Sequence, residues 1–335
     1  MIMDFLVLED FLKGEPNYRF KQVKEALYGD LIENWNEATV LPLPLRKNLE
    51  KNFPLSVEAE TFVSKDKRTT RALIELRDGL KVEAVLMQHK DKRNTVCVSS
   101  QIGCPLGCLF CATGKMGFKR NLSASEIVEQ VLFFARRLKR NKETITNIVF
   151  MGMGEPFLNY DNVLAAVKAL NDKGGFNLGA RRFSISTVGI VEGIEELAKE
   201  KLETNLAISL HAPDDILRSK IIPCNEKYPI KNIIEAVDRY IEATNRKVMF
   251  EYIMIEDLND SPEHAEKLAG LMKKSLYFVN LISYNSTGVF KPSSDSKMKE
   301  FRKILEDKGV SVTQRYKFGD QIKAACGQLA ANKQL

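Results

Sequence analysis

VCVSSQIGCPLGCLFCATG, residues 96–114, holds four of the six cysteines of a 335-residue chain. Cys104, Cys108 and Cys111 stand at the spacing C-x3-C-x2-C, and Gly103, Pro105 and Gly107 among them predict a tight loop rather than a helix. Such a loop lets three sulfurs converge on one object. Thiolates are soft donors, suited to iron–sulfur clusters or zinc. A structural zinc site takes four protein ligands, and the nearest spare donor here is Cys97, seven residues upstream of Cys104. Three readings follow: a 4Fe–4S cluster on three cysteines with one iron open for a substrate, a zinc knuckle that borrows Cys97, and unliganded core thiols. The first accounts best for the missing fourth ligand.

The surroundings of the stretch carry the fold. From residue 94 onward short β-rich runs alternate with amphipathic helical segments. The predicted strands are 94–100, 147–152, 182–188, 205–210, 247–255 and 277–284. One helix opens at Ser123 with Glu126 three residues later, a capping box, and another spans 262–274 with Pro262 in its first turn. Strands alternating with helices predict an α/β fold with a parallel sheet, and right-handed crossovers curl it into a partial barrel. A last strand-like run, 310–316, leads into GDQIKAACGQL. The cysteine loop then leaves the C-terminal end of the first strand, the end where barrel sites assemble.

Upstream, residues 1–60 read as helical, 68–88 alternate apolar and polar around Asp78-Gly79 as a hairpin does, and 89–94 read as a linker. Two units are expected: an accessory domain of helices plus a hairpin over 1–90, and a barrel core with a C-terminal cysteine segment over 91–330. Composition sets outer bounds. At 38.0 kDa and 44% hydrophobic residues the chain can bury a large core without disulfides. The N-terminal residues lack a signal-peptide layout, and no run nears the roughly 20 apolar residues that span a bilayer. A cytoplasmic, reducing location and a monomer are expected, with no membrane partner. Net charge is +6, with basic clumps at 65–68, 90–93, 136–142 and 180–182, which permits an RNA partner without requiring one.

Other strand ends offer polar groups: Gly152, Gly154 and Glu155, then Ser186, then Ser209, Leu210 and His211, then Asn285. A serine at a strand end is ordinarily a cap, and a lone histidine ordinarily a satisfied core residue. Together, in barrel order, they outline one pocket. Cys97 and Cys326, each alone, read as small buried hydrophobes, as does Cys224. Glu83 reads as an outward-facing strand carboxylate, and Trp35, Phe133 and Phe134 as packing residues.

The C-x3-C-x2-C loop after the first strand resembles the radical S-adenosylmethionine (SAM) superfamily, a fold built on a partial (β/α)6 barrel. In that superfamily the open iron chelates SAM, and one electron cleaves it to a 5′-deoxyadenosyl radical. With FMGMGEP, SISTVGI, SLHAP and AACGQL, the whole chain resembles the RlmN/Cfr family of radical SAM RNA adenine methyltransferases. The resemblance implies Cys104, Cys108 and Cys111 as cluster ligands and Gly154, Glu155, Ser186, Ser209, Leu210, His211 and Asn285 as the SAM pocket. It implies that Cys326 takes a methyl group from a first of two SAM per turnover, that a methylene radical from it adds to the adenine ring, and that Cys97 forms a disulfide with Cys326 to release the product. It assigns Glu83 the ring proton and gives Cys224 no role. The implied partners are 23S ribosomal RNA, a subset of transfer RNAs, and a flavodoxin or ferredoxin electron donor. Gly154-Glu155-Pro156 resembles the members that methylate carbon 2. The YNST run and the residues before Cys326 depart from that wording, which keeps carbon 8, the antibiotic-resistance type, as an alternative. A non-catalytic RNA-binding iron–sulfur protein is the reading from another class.

Overall fold

The computed structural model describes residues 8, 10–315 and 319–330. The first seven residues and the Tyr316 end of the last predicted strand lie outside them. Two helices come first, α1 (Asn17–Lys24) and α2 (Leu43–Asn52), followed by strands β1 (Ala59–Val63), β2 (Thr69–Glu75) and β3 (Lys81–Gln88). Next are β4 (Asn94–Val98), β5 (Gln101–Gly103), α3 (Ala112–Lys115) and β6 (Phe118–Asn121). Helices and strands then alternate through α4 (Ala124–Lys139), β7 (Asn147–Phe150), α5 (Tyr160–Asn171), β8 (Phe183–Thr187), α6 (Val191–Lys199) and β9 (Asn205–Ser209). The chain continues through α7 (Asp215–Ile221), α8 (Ile230–Thr244), β10 (Val248–Met254), α9 (Pro262–Leu271), β11 (Tyr277–Ser283), α10 (Asp295–Asp307) and β12 (Val312–Gln314).

Among the described residues ten strands form one sheet in the order β1-β2-β3-β4-β7-β8-β9-β10-β11-β12. From β4 to β12 every pairing is parallel. The expected α/β partial barrel is therefore present, and the run before Tyr316 adds β12 to the six strands expected. The sheet curls: residues from β3 and β4 and the β12 residue Thr313 line one common cavity. Its helices bury apolar stripes, as α8 does with Ile230, Ile233, Val237 and Ile241.

Two expectations change. Residues 89–94 are not a linker. His89 N–H donates to the Arg93 carbonyl (2.8 Å), so the segment is a tight turn joining antiparallel β3 and β4. Charge clustering signalled exposure, which a turn and a linker share. The first predicted strand also stops early. Ser99 and Ser100 turn the chain, and β5 pairs with β6 in a small separate hairpin that the sequence pattern did not reveal. β1 falls at the edge of the stretch read as helical, where it pairs antiparallel with β2. The Asp78-Gly79 hairpin forms as read, with Gly79 at φ +77°. One hydrophobic core includes Trp35, β2–β4 and the barrel alike.

The capping box of α4 is complete, Ser123 Oγ accepting from Glu126 N–H and Glu126 Oε2 from Ser123 N–H (2.8 Å). Arg120 grips the same Glu126 carboxylate at 2.8 and 2.9 Å. Ser123→Ala is expected to lower unfolding stability by about 1 kcal/mol, read as a shift of the urea midpoint at unchanged slope. An unshifted midpoint refutes the cap.

Candidate active site

The cysteine loop begins where β5 ends. Gly103 has φ +74°, and a Cβ there would lie 1.7 Å from the Gly117 carbonyl oxygen, so only glycine permits the β5–β6 hairpin to close. Cys104 N–H then donates to that carbonyl (3.2 Å), and Leu109 N–H donates to Ile221 O at the end of α7 (3.0 Å). Held between hairpin and α7, the loop presents Cys104, Cys108 and Cys111 to a cavity of about 130 Å³. Burial pushes the Cys104 thiol up to about 12 and that of Cys108 well above its ordinary value, with neighbouring sulfurs adding to both. Thiols this unwilling to ionise become thiolates when a metal takes the proton's place. No three His, Cys, Asp or Glu side chains among the described residues stand close enough to ligate a single metal ion. Three soft thiolate donors from one loop, all lining one cavity, are a donor set that fits a 4Fe–4S cluster. Cys97 faces a different cavity and is not with them. Cys224, half-buried, is near enough for its charge to raise Cys104 and Cys108.

The same cavity gathers most of the strand-end residues. Gly154 (φ +97°) brings its backbone against Gln101, where a Cβ would lie 2.5 Å from the Gln101 Cβ. Glu155 is buried. Its Oε1 accepts from Phe157 N–H (3.0 Å) and its Oε2 from Val188 N–H (2.8 Å). Burial nevertheless pushes its carboxyl up to about 7, which suits a group awaiting a cation. Ser186 Oγ donates to Glu251 Oε2 (3.1 Å) and lies 3.3 Å from Ser209 Oγ. Leu210 does not line the cavity with its side chain. Its carbonyl accepts from Arg218 Nε (3.1 Å). His211 lines it at φ +60°, with Nδ1 accepting from Ile253 N–H (3.2 Å). Burial lowers the ring to about 3, so it is neutral at physiological pH.

Cys326 belongs to this wall and to a second one. The three-cysteine cavity and a neighbouring cavity of about 480 Å³ both have Cys326 in their lining, and the second also holds Cys97 and Asn285. The Cys326 loop is pinned from several sides. Ala112 N–H donates to Gly327 O (2.7 Å), Thr113 Oγ1 to Leu329 O (2.6 Å), and Asn285 Nδ2 to Cys326 O (3.2 Å). Cys97 sits mid-strand opposite Val85 and Val149. The two thiols are close enough that charge on Cys326 raises Cys97, second to burial, to about 12. Cys326 is exposed by area, yet it looks into a cleft, and the desolvation there pushes it up to about 11. Arg315 counters this: its nearby charge lowers Cys326, and its Nη2 donates to Glu251 Oε1 and to Met151 Sδ (3.2 Å).

Glu83 is fully buried on β3. Its Oε1 accepts from Arg71 Nη1 (2.9 Å) and its Oε2 from Ala330 N–H (3.1 Å), beyond the Cys326 loop. It lines neither of these two cavities. Sequence reading passed over Glu251, Arg315 and Arg218, which tie the site together. For Glu251 the usable signal was a single charge inside an otherwise apolar strand, VMFEYIM.

Comparison with known proteins agrees with this arrangement. The radical SAM superfamily model matches residues 98–269. A probable dual-specificity RNA methyltransferase RlmN of Dictyoglomus thermophilum is 45% identical, covering 97% of this chain and 94% of its own. A ribosomal RNA large subunit methyltransferase Cfr of Clostridium botulinum is 42% identical, covering 96% and 94%. A crystal structure of a radical SAM methyltransferase from Sphaerobacter thermophilus superposes with TM-score 0.95 at 44% identity, covering 99% of this chain and 98% of that one. A three-cysteine loop at the barrel's C-terminal end, a second thiol pair beside it, and full-length similarity place the chain in the RlmN/Cfr family of radical SAM RNA methyltransferases.

Proposed function

We propose that this protein methylates carbon 2 of adenine in 23S ribosomal RNA and in transfer RNA, with Cys326 carrying the carbon and Cys97 releasing the product. The observation that carries the reading is the place of Cys326 in the walls of two cavities, one with the three loop cysteines and one with Cys97. Bound at Cys104, Cys108 and Cys111, a 4Fe–4S cluster with SAM supplies methyl groups and one-electron chemistry. Glu155 accepts the SAM ammonium, a role its buried, cation-seeking carboxyl suits. Ser186, Ser209, the Leu210 backbone and His211 complete the pocket, Asn285 reaches toward it from the neighbouring cavity through its bond to Cys326 O, and the pocket serves two SAM per turnover.

Cys326 must act as thiolate, because the thiolate is the nucleophile. Arg315 at its sulfur favours that form. Once the carbon bridges Cys326 Sγ and the adenine ring, the base is tethered. Glu83 receives the ring proton, for which its bond from Ala330 N–H gives way. Cys97 Sγ, its proton given up, then attacks Cys326 Sγ; the S–C bond breaks with its electron pair going to the carbon, a proton taken up there completes the methyl group on the base, and the two sulfurs are left as a disulfide. Flavodoxin or ferredoxin supplies electrons in the reducing cytoplasm. The Gly154-Glu155-Pro156 wording supports carbon 2. The Cfr relative at 42% identity keeps carbon 8 as the second reading.

Anaerobically reconstituted protein given SAM is expected to gain one methyl group, mapped to Cys326 by peptide mass. An unchanged mass would favour a binding-only protein. Digested RNA product should yield 2-methyladenosine on nucleoside chromatography; 8-methyladenosine in its place would move the assignment to carbon 8. Cys97→Ala is expected to accumulate protein–RNA adducts that survive denaturing gels. A freely turning-over variant refutes the release role.

A further inference from the structure

A third cavity, of about 740 Å³, shares walls with the Cys326 loop but holds neither Cys326 nor the loop cysteines. Lys323 and Gln328 reach it from that loop, Lys115 from the helix that follows the cysteines, and Arg71 from β2. No carboxylate lines it among the described residues. Arg71 is the unusual member. Its side chain is 2% exposed, Nη1 donates to Glu83 (2.9 Å), and the guanidinium lies over the Phe62 ring at 4.4 Å. Its Nε and Nη2 have no hydrogen-bond partner among the described residues. Buried guanidinium nitrogens left without acceptors are costly and call for an explanation. Nε and Nη2 are also the two donors of one edge of the fork, the edge that meets two oxygens of a phosphate in parallel.

We propose that this cavity is a phosphate subsite for the RNA backbone, with Arg71 as a bidentate anchor pre-set by Glu83 and Phe62 and with Lys115 and Lys323 supplying field. The proposal rests on the RNA-methyltransferase reading above. It adds that one phosphate near the target adenine is fixed on the far side of the Cys326 loop. Because Gln328 and Lys323 flank Cys326 in sequence, an occupied subsite registers the backbone against the loop that carries the methyl group. Phosphate contacts of this kind set position and salt dependence, not sequence preference.

The test is binding of a stem-loop RNA with one unpaired target adenosine, followed by fluorescence anisotropy across a salt series. Lys115→Gln/Lys323→Gln is expected to bind about tenfold more weakly at physiological salt, with the slope of log K against log salt reduced by about 1. Both lysines are exposed, so this variant tests the site even if Arg71→Lys, which keeps the charge beside Glu83 but removes the fork, fails to fold. A scan of neutral methylphosphonates along the RNA should find one position that weakens wild type and leaves Arg71→Lys unaffected. If wild type binds while the double variant matches it in affinity and slope, the subsite is overturned and the functional reading stands. If wild type binds no RNA, both fall.

Discussion

Thr113 and Leu329, 216 residues apart in the chain, share a hydrogen bond of 2.6 Å. That bond and its neighbour, Ala112 N–H to Gly327 O, fasten the Cys326 loop to the turn directly behind Cys111. Setting Cys326 beside the cysteine loop is a problem of placement, because residues 323–330 have no regular secondary structure and the segment behind Cys111 has only the short helix α3. Backbone bonds between the two solve the problem without a shared strand. The barrel fixes one partner through the β5–β6 hairpin and α7. Glu83 and Asn285 fix the other, through Ala330 and Cys326. Moving any one of these supports moves the thiol relative to the metal-binding loop.

The electrostatics of the site keep its sulfurs quiet. Burial holds Cys97, Cys104 and Cys326 at values from about 11 to about 12. At neutral pH these are thiols, poor nucleophiles and poor targets for oxidants. Two positive centres offset the burial at opposite ends of the site. Arg218 lowers Cys108, and Arg315 lowers Cys326 and Cys97. Glu251 joins the ends, since it bonds Arg315 on one side and Ser186 on the other. A cation entering the Glu155–Ser186 pocket is thereby coupled to the charge near Cys326.

Much of this was legible in the primary structure, for identifiable reasons. The parallel strands announced themselves because both faces are covered, which leaves near-continuous apolar runs such as those of β10 and β11, each broken by one polar residue before its end. The Ser123–Glu126 box and the Asp78-Gly79 turn were readable because each is local. What escaped was whatever depended on pairing at a distance. β5 and β6 are three and four residues long and carry no periodicity, and they exist because Gly103 admits Gly117. The basic 89–94 stretch has the composition of a tether and the hydrogen bonding of a turn. Arg71 and Glu251 were hidden because a charge in a strand reads as an outward-facing residue until the sheet curls and turns that face inward, and Arg315 because it stands just past the end of β12.

Cys97 lies in the middle of β4, clamped in register by β3 on one side and β7 on the other. A side chain so mounted cannot travel. Its partner rides on a stretch of turns at the chain's end. Any change in the separation of the two sulfurs is therefore asymmetric: the anchored strand serves as a fixed post, and the displacement falls to the loop. How readily that loop leaves its moorings decides how near the two sulfurs can come, while the strands beneath them keep their register.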